Sequence, residues 1–130
     1  MERTGIIKSM ANGVVTYIQR DEQIGRLQWN DHPKCKGVSL KHLVTGGDTD
    51  GKLSCHLVKL EPDSVIDEHV HELQLELHEV IEGEGGFIMG ARKIEYYPGC
   101  VCVIPAGTAH KVIAGGSGLV LFAKFCPALM

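Results

Sequence analysis

The chain has 130 residues, 44% of them hydrophobic, and a formal net charge of −3, which is typical of a single soluble globular domain. The negative charge and the lack of any lysine or arginine cluster exclude binding to a nucleic-acid backbone, and the apolar runs are too short to cross a membrane. The N-terminal sequence lacks the continuous apolar segment of a secretory signal, and the whole chain contains five cysteines, an odd number. We therefore expect reduced thiols and a cytoplasmic location.

The first 35 residues carry the weakest patterns. Residues 13–18 have strand character, and residues 29–33 form a predicted loop that places His32 on the surface. From residue 36 to residue 130, short apolar segments alternate with glycine-rich turns, without helical periodicity, repeats or a linker. The predicted elements there are three strands (38–45, 53–60 and 76–82), a strand at 100–104, and two hairpins (87–89 with 93–97, and 111–114 with 119–126). This pattern predicts an all-β domain, either a sandwich or a barrel.

Two segments of this domain, residues 63–83 and 99–114, carry histidines at short spacings with turn residues around them. The first contains His69-x-His71, Glu76 and Gly83, and the second contains Gly99, Pro105, Gly107 and His110. Three imidazoles and a carboxylate bind transition metal ions well. The two segments resemble the two motifs of the cupin superfamily at eight positions. Asp63 stands where the family has a glycine, and aspartate tolerates the left-handed turn expected there; Ala114 replaces an asparagine.

The resemblance implies a single-domain cupin jelly-roll barrel, or double-stranded β-helix, over residues 36–130. It implies that residues 1–35 form an arm with an outer strand, in this chain or on a neighbouring subunit. It also implies that one divalent transition metal ion is bound by His69, His71, Glu76 and His110. These nitrogen and oxygen ligands suit Fe, Mn, Ni, Co, Cu or Zn and do not select among them. The alternative is a ligand-binding barrel in which the histidines are hydrogen-bonded and hold no metal.

Strand parity adds three further histidines to the predicted interior. His78 lies two residues after Glu76 and shares its face of the strand. Four roles are open to it: a fifth ligand, a substitute for Glu76, a catalytic acid–base group or a hydrogen-bonded residue of the barrel wall. If Lys41 and Lys59 point to solvent, then His42 and His56 point inward. We therefore predict a pocket that includes His42 and His56 beside the metal.

The resemblance favours a metal-dependent enzyme of the dioxygenase, lyase, decarboxylase or isomerase type that acts on a small oxygenated metabolite. The alternative is a non-catalytic cupin that binds or senses a small molecule. Neither motif contains an arginine, which argues against a strongly anionic substrate. The resemblance also implies a homodimer, for which outward-facing apolar residues would provide the surface: Leu77, Ile81, Val120 and Phe122.

Overall fold

The computed structural model describes residues 5–130, so the first four residues of the predicted arm lie outside the described part. In chain order, the elements are α1 (Ile6–Ala11), β1 (Val14–Thr16), β2 (Asp21–Gln23), a 3₁₀ helix (Ile24–Arg26), β3 (Trp29–Asp31), β4 (Val38–Val44), α2 (Gly46–Thr49), β5 (Ser54–Leu60), β6 (Val65–His69), β7 (Leu75–Met89), β8 (Arg92–Tyr96), β9 (Val101–Ile104) and β10 (His110–Cys126). Strands predominate and pair antiparallel, which confirms the predicted all-β class. Within residues 5–130, no helix is long and apolar enough to span a bilayer.

Two long strands, β7 and β10, run through both sheets of the fold. They pair antiparallel from Leu75 opposite Cys126 at one end to Met89 opposite His110 at the other. One half of this pair belongs to a larger sheet of order β3-β4-β5-β10-β7-β9, and the other half to a smaller sheet of order β6-β10-β7-β8. Side chains from both sheets, including Val80, Phe87, Ile104 and Leu121, form one buried cluster. This arrangement is a jelly roll.

The predicted hairpin across residues 115–118 is wrong, because β10 continues through these residues as one strand. Both its halves pair with β7 in the same direction, with a register shift between Ala114 and Leu119. The additional residues therefore form a bulge and not a reversal. Gly83 lies opposite with a φ of +83°, and a Cβ atom there would overlap the carbonyl oxygen of Gly118. The other predicted hairpin is present, formed by β7 and β8.

The N-terminal arm covers the outer face of the larger sheet. Ile24 of the arm is buried with Leu43 and Leu57 in a second apolar cluster, against which Ile81 and Phe122 pack. Much of the surface that we expected to be available for dimer contact is therefore covered by the chain itself. The segment 29–31 is also not the loop that we predicted, because β3 pairs with β4 and extends the larger sheet.

Candidate metal centre

The four predicted ligands converge between the two sheets, since His69 and His110 belong to the smaller sheet and Glu76 to the larger one. His69 ends β6 and lies opposite His110, the first residue of β10, while Glu76 lies near the start of β7. His71 follows β6, and its carbonyl oxygen accepts a hydrogen bond of 2.9 Å from the backbone N–H of Gly107 in the second motif. One possible ligand atom from each of the four residues lies within 4.8 Å of the others. The structure therefore brings the predicted set together.

Local hydrogen bonds orient two of the imidazoles. Nδ1 of His69 lies 2.8 Å from the carbonyl oxygen of Asp67, and Nδ1 of His110 lies 2.8 Å from that of Thr108. A carbonyl oxygen only accepts, so each Nδ1 carries a hydrogen, and in the neutral ring each Nε2 keeps a free lone pair. This is the arrangement in which a metal-binding histidine donates its second ring N–H to a neighbouring acceptor. Burial lowers the pKa of His69 and of His71, which favours the neutral ring that binds a metal.

Two buried atoms of the cluster lack a hydrogen bond within the described residues, Oε1 of Glu76 and Nε2 of His110. They lie 3.1 Å apart, but without hydrogen-bond geometry. Buried polar atoms are nearly always paired, so two such atoms side by side indicate a missing partner. Two ligands bound at right angles at about 2.1 Å from one ion are about 3 Å apart. The residues present therefore fit a divalent transition metal ion.

Glu76 is held in place through its second carboxylate oxygen. Oε2 lies 2.7 Å from Nε2 of His78, and Nδ1 of His78 lies 2.9 Å from the hydroxyl of Tyr96. All three side chains are at most 4% exposed. Burial alone would raise the pKa of Glu76, but electrostatic attraction to His78 and the contacts with His110 and His78 hold that pKa well below its usual range. Glu76 is therefore a fixed carboxylate with Oε1 turned toward the imidazoles.

The same contacts engage both ring nitrogens of His78. A carboxylate only accepts, so Nε2 of His78 donates to Glu76. Burial raises the pKa of Tyr96, so its phenol stays protonated, and its hydroxyl is the hydrogen-bond partner of Nδ1 of His78. Both ring nitrogens are thus engaged, and contact with a substrate would require one of these hydrogen bonds to break. These contacts favour an orienting role over the acid–base role, which stays a prediction.

The cluster opens into a cavity of about 110 Å³. Its polar lining consists of the ligands His69, His71 and Glu76 together with His78, His56 and His32. The remaining lining is apolar and comprises Leu40, Val58, Ile66, Val112, Leu121, Ala123, Phe125 and Leu129. In the described part of the chain, no lysine or arginine lines this cavity. The site therefore provides a metal-binding corner in a chamber whose other walls are mostly apolar and carry three further histidines.

The two predicted pocket histidines are in contact with each other but lie at different depths. His56 is fully buried and lines the cavity, whereas His42 is half-buried, does not line it, and bonds to His56 between their Nδ1 atoms at 2.8 Å. Nε2 of His56 lies 2.8 Å from Oγ of Ser54. The premise that Lys41 points to solvent is wrong: it is 6% exposed beneath the arm, and its Nζ donates to the carbonyl oxygen of Ile24.

Sequence reasoning missed two residues of the site. His32 lines the cavity and is half-buried, so the prediction that it lies on the surface is wrong. Its loop folds back over the cavity, which no local pattern indicates. Tyr96 was not singled out at all. The inward orientation of its side chain was predictable, because Ile94 and Tyr96 alternate with the charged residues Lys93 and Glu95.

Comparison with known proteins bears on the fold and the family. Residues 56–123, more than half of the chain, match the family model described as Cupin domain. The comparison with curated protein sequences gives no significant match. Among solved structures, KdgF from Halomonas sp. is 24% identical with a TM-score of 0.68, over 77% of this chain and 87% of that chain. A predicted oxalate decarboxylase from Thermotoga maritima is 23% identical with a TM-score of 0.74, over 80% and 96%.

A third similar structure is the polyketide cyclase RemF from Streptomyces resistomycificus, which is 21% identical with a TM-score of 0.68, over 80% of this chain and 75% of that chain. At these identities the structural likeness shows the fold alone. The family match over residues 56–123 identifies the chain as a member of the cupin domain family.

Proposed function

We propose that this protein is a metal-dependent enzyme that acts on a small oxygenated metabolite, with His69, His71, Glu76 and His110 as the metal ligands. The observation that carries the proposal is the pair of buried, unpartnered atoms, Oε1 of Glu76 and Nε2 of His110, turned toward each other at the cavity. A bound divalent ion would supply Lewis-acid or redox chemistry of the kind that dioxygenases, lyases, decarboxylases and isomerases use.

Other residues support the site without touching a substrate. His78 holds Oε2 of Glu76, and Tyr96 holds His78, so the carboxylate cannot turn away from the imidazoles. The apolar walls, including Leu40, Val58 and Leu121, line the open side of the ligands, where a bound substrate would displace water. Two of the similar structures carry enzyme names, a predicted oxalate decarboxylase and a polyketide cyclase, which supports a catalytic use of this fold.

The proposal is tested by stripping the protein with a chelator and reloading it separately with Fe(II), Mn(II), Co(II), Ni(II), Cu(II) and Zn(II). Each form is then assayed for O₂ consumption and, by NMR, for conversion of a panel of small ketones, hydroxy acids and sugars. We expect turnover with at least one metal, and its loss in Glu76→Gln. The matched control is Glu79→Gln, because Glu79 lies on the same strand but pairs with Lys124 outside the cavity.

Two results would contradict the proposal in different ways. A protein that binds no metal would remove its basis. A protein that binds metal and small ligands but converts none of them would contradict catalysis and support a binding or sensing module.

We further propose that two copies associate through the edge strand β9. Among residues 5–130, β9 pairs only with β7, so its other edge presents free backbone groups. Val101 and Val103 on this strand are 62% and 54% exposed. An apolar edge of this kind pairs readily with its own copy about a twofold axis. Light scattering should give about twice the chain mass of 14.2 kDa. A monomeric wild-type protein, or a dimer that persists in Val103→Lys, would contradict this proposal.

We also propose a reducing compartment such as the cytoplasm. All five cysteines are free thiols in the structure, and Cys126 is exposed. An exposed thiol without a partner is rare in oxidising compartments. Recovery of a tagged chain from the exported fraction of its host would contradict this assignment.

A further inference from the structure

His32 is held in one protonation state by its own loop. The residue follows β3, and its Nδ1 atom accepts hydrogen bonds from the backbone N–H groups of Lys34 at 3.1 Å and Cys35 at 3.0 Å. A nitrogen that accepts two hydrogen bonds carries no proton, so the neutral ring must have its hydrogen on Nε2. Burial, and then the charge of Lys34, lower the pKa of His32, in agreement with a neutral ring.

The hydrogen on Nε2 has no acceptor in the part of the chain that the structure describes. The Nδ1 edge of the ring faces the loop, and the ring itself lines both this cavity and a neighbouring one that is bounded by residues 33–35 and 66–69. The other two non-ligand histidines of the cavity are already engaged. His56 uses its nitrogens for His42 and Ser54, and His78 uses its nitrogens for Glu76 and Tyr96. Apart from the proposed metal ligands, His32 is therefore the one histidine with an uncommitted N–H among the described residues that line this cavity.

The charge of the site limits what a ligand can carry. Three neutral imidazoles and one carboxylate around a divalent ion leave a single net positive charge. No lysine or arginine among the described residues lines the cavity to add another. A dianion would keep an uncompensated charge in apolar surroundings, which is costly, whereas a neutral molecule or a monoanion would not. The cavity of about 110 Å³ is also smaller than the roughly 300–1,000 Å³ of pockets for drug-sized ligands.

We propose that His32 is a specificity-determining hydrogen-bond donor for a small dicarbonyl or hydroxycarbonyl compound that is uncharged or singly charged. One oxygen atom of the ligand binds the metal, and another accepts from Nε2–H of His32. Its short alkyl part packs against Leu40, Val58 and Leu121. This inference rests on the proposed metal site and adds the substrate class to it.

The test uses the cobalt-loaded full chain and two probes, pentane-2,4-dione and its dicarboxylate counterpart, propanedioate. Binding is measured by calorimetry and by the visible spectrum of the cobalt ion, with the metal content of each sample determined. His32→Asn is the decisive variant, because its Oδ1 atom can still accept from the N–H groups of the loop while no donor reaches the cavity. His32→Ala removes both functions, so the difference between the two variants isolates the role of the loop.

We expect wild-type protein to bind the diketone more tightly than the dianion. We expect His32→Asn to keep its full metal content and melting temperature while its diketone affinity falls about tenfold. Unchanged diketone affinity in a fully loaded His32→Asn protein would overturn the inference while leaving the metal site intact, and so would tighter binding of the dianion. A wild-type protein that takes up no cobalt would overturn the proposed function, and this inference with it.

Discussion

Replacing Tyr96 with phenylalanine removes one hydroxyl from the chain of contacts that holds Glu76. The ring itself should stay in place, because it is 1% exposed and stacks on Phe87 with ring centroids 4.9 Å apart and planes 6° apart. The change leaves Nδ1 of His78 without its hydrogen-bond partner at a position that is 3% exposed. An unsatisfied buried donor or acceptor costs about 1–3 kcal/mol. For a domain of this size, each kcal/mol corresponds to a melting-temperature change of roughly 3–5 °C.

The assay is urea and thermal unfolding of the metal-free proteins at pH 7 with a chelator present, so that metal binding does not contribute. We expect Tyr96→Phe to lower the free energy of unfolding by about 1–2 kcal/mol. Tyr97→Phe is the matched control, because this neighbouring tyrosine is 57% exposed and its loss should cost less than about 0.5 kcal/mol. If the two variants unfold at the same urea concentration, the Tyr96–His78 hydrogen bond does not have the structural role assigned to it.

Three further predictions concern other contacts. His78→Ala should still bind one ion at saturation but with about 10–100-fold lower affinity, measured by competition with a chromophoric chelator, because Glu76 loses its orienting donor; unchanged affinity would show that Glu76 needs no such support. Burial, and then His42, lower the pKa of His56 from 6.5 to about 4. On acidification the unfolded chain therefore protonates His56 before the folded chain does. Through this residue the free energy of unfolding of the metal-free protein should fall by about 3 kcal/mol between pH 7 and pH 4. The neighbour Glu76 opposes this shift; a His56→Gln variant whose stability falls as steeply with acid as that of the wild type would contradict the assignment. Gly83→Ala should destabilise the fold by more than 2 kcal/mol, because the added Cβ would overlap Gly118. The control Gly90→Ala, at a φ of +58° in open space, should cost about 1 kcal/mol in the same urea series. Equal losses in the two variants would mean that the close approach of the two strands is not real.

The clustering of the four candidate ligands was predictable in part because their placement is encoded locally. The spacing of His69 and His71 places both rings on one side of an extended segment, and the turn before His110 fixes where β10 begins. Asp63 has a φ of +64°, the left-handed conformation expected at the position where the family has a glycine. In each case a few adjacent residues determine the outcome, so the sequence alone is informative.

The predictions were wrong where contacts with segments distant in the sequence determine the local structure. Residues 115–118 have the composition of a turn, but their pairing with β7 makes them a bulge within one strand. Lys41 has the polarity of a surface residue, but the arm covers it and Ile24 accepts its hydrogen bond. His32 enters the cavity only because the loop after β3 folds back over it. No local pattern contains these tertiary contacts.

The central claim is that one ion is bound by the four clustered ligands, and equilibrium metal binding tests it most directly. The stripped protein is titrated with Co(II) or Zn(II), and bound metal per chain is measured for the wild type, His110→Ala and the non-ligand control His42→Ala. We expect one ion per chain in the wild type and in the control, and little or none in His110→Ala, since Nε2 of His110 is the buried nitrogen that faces Glu76. A wild-type chain that binds no ion, or a His110→Ala chain that binds it as tightly as the wild type, would contradict the account.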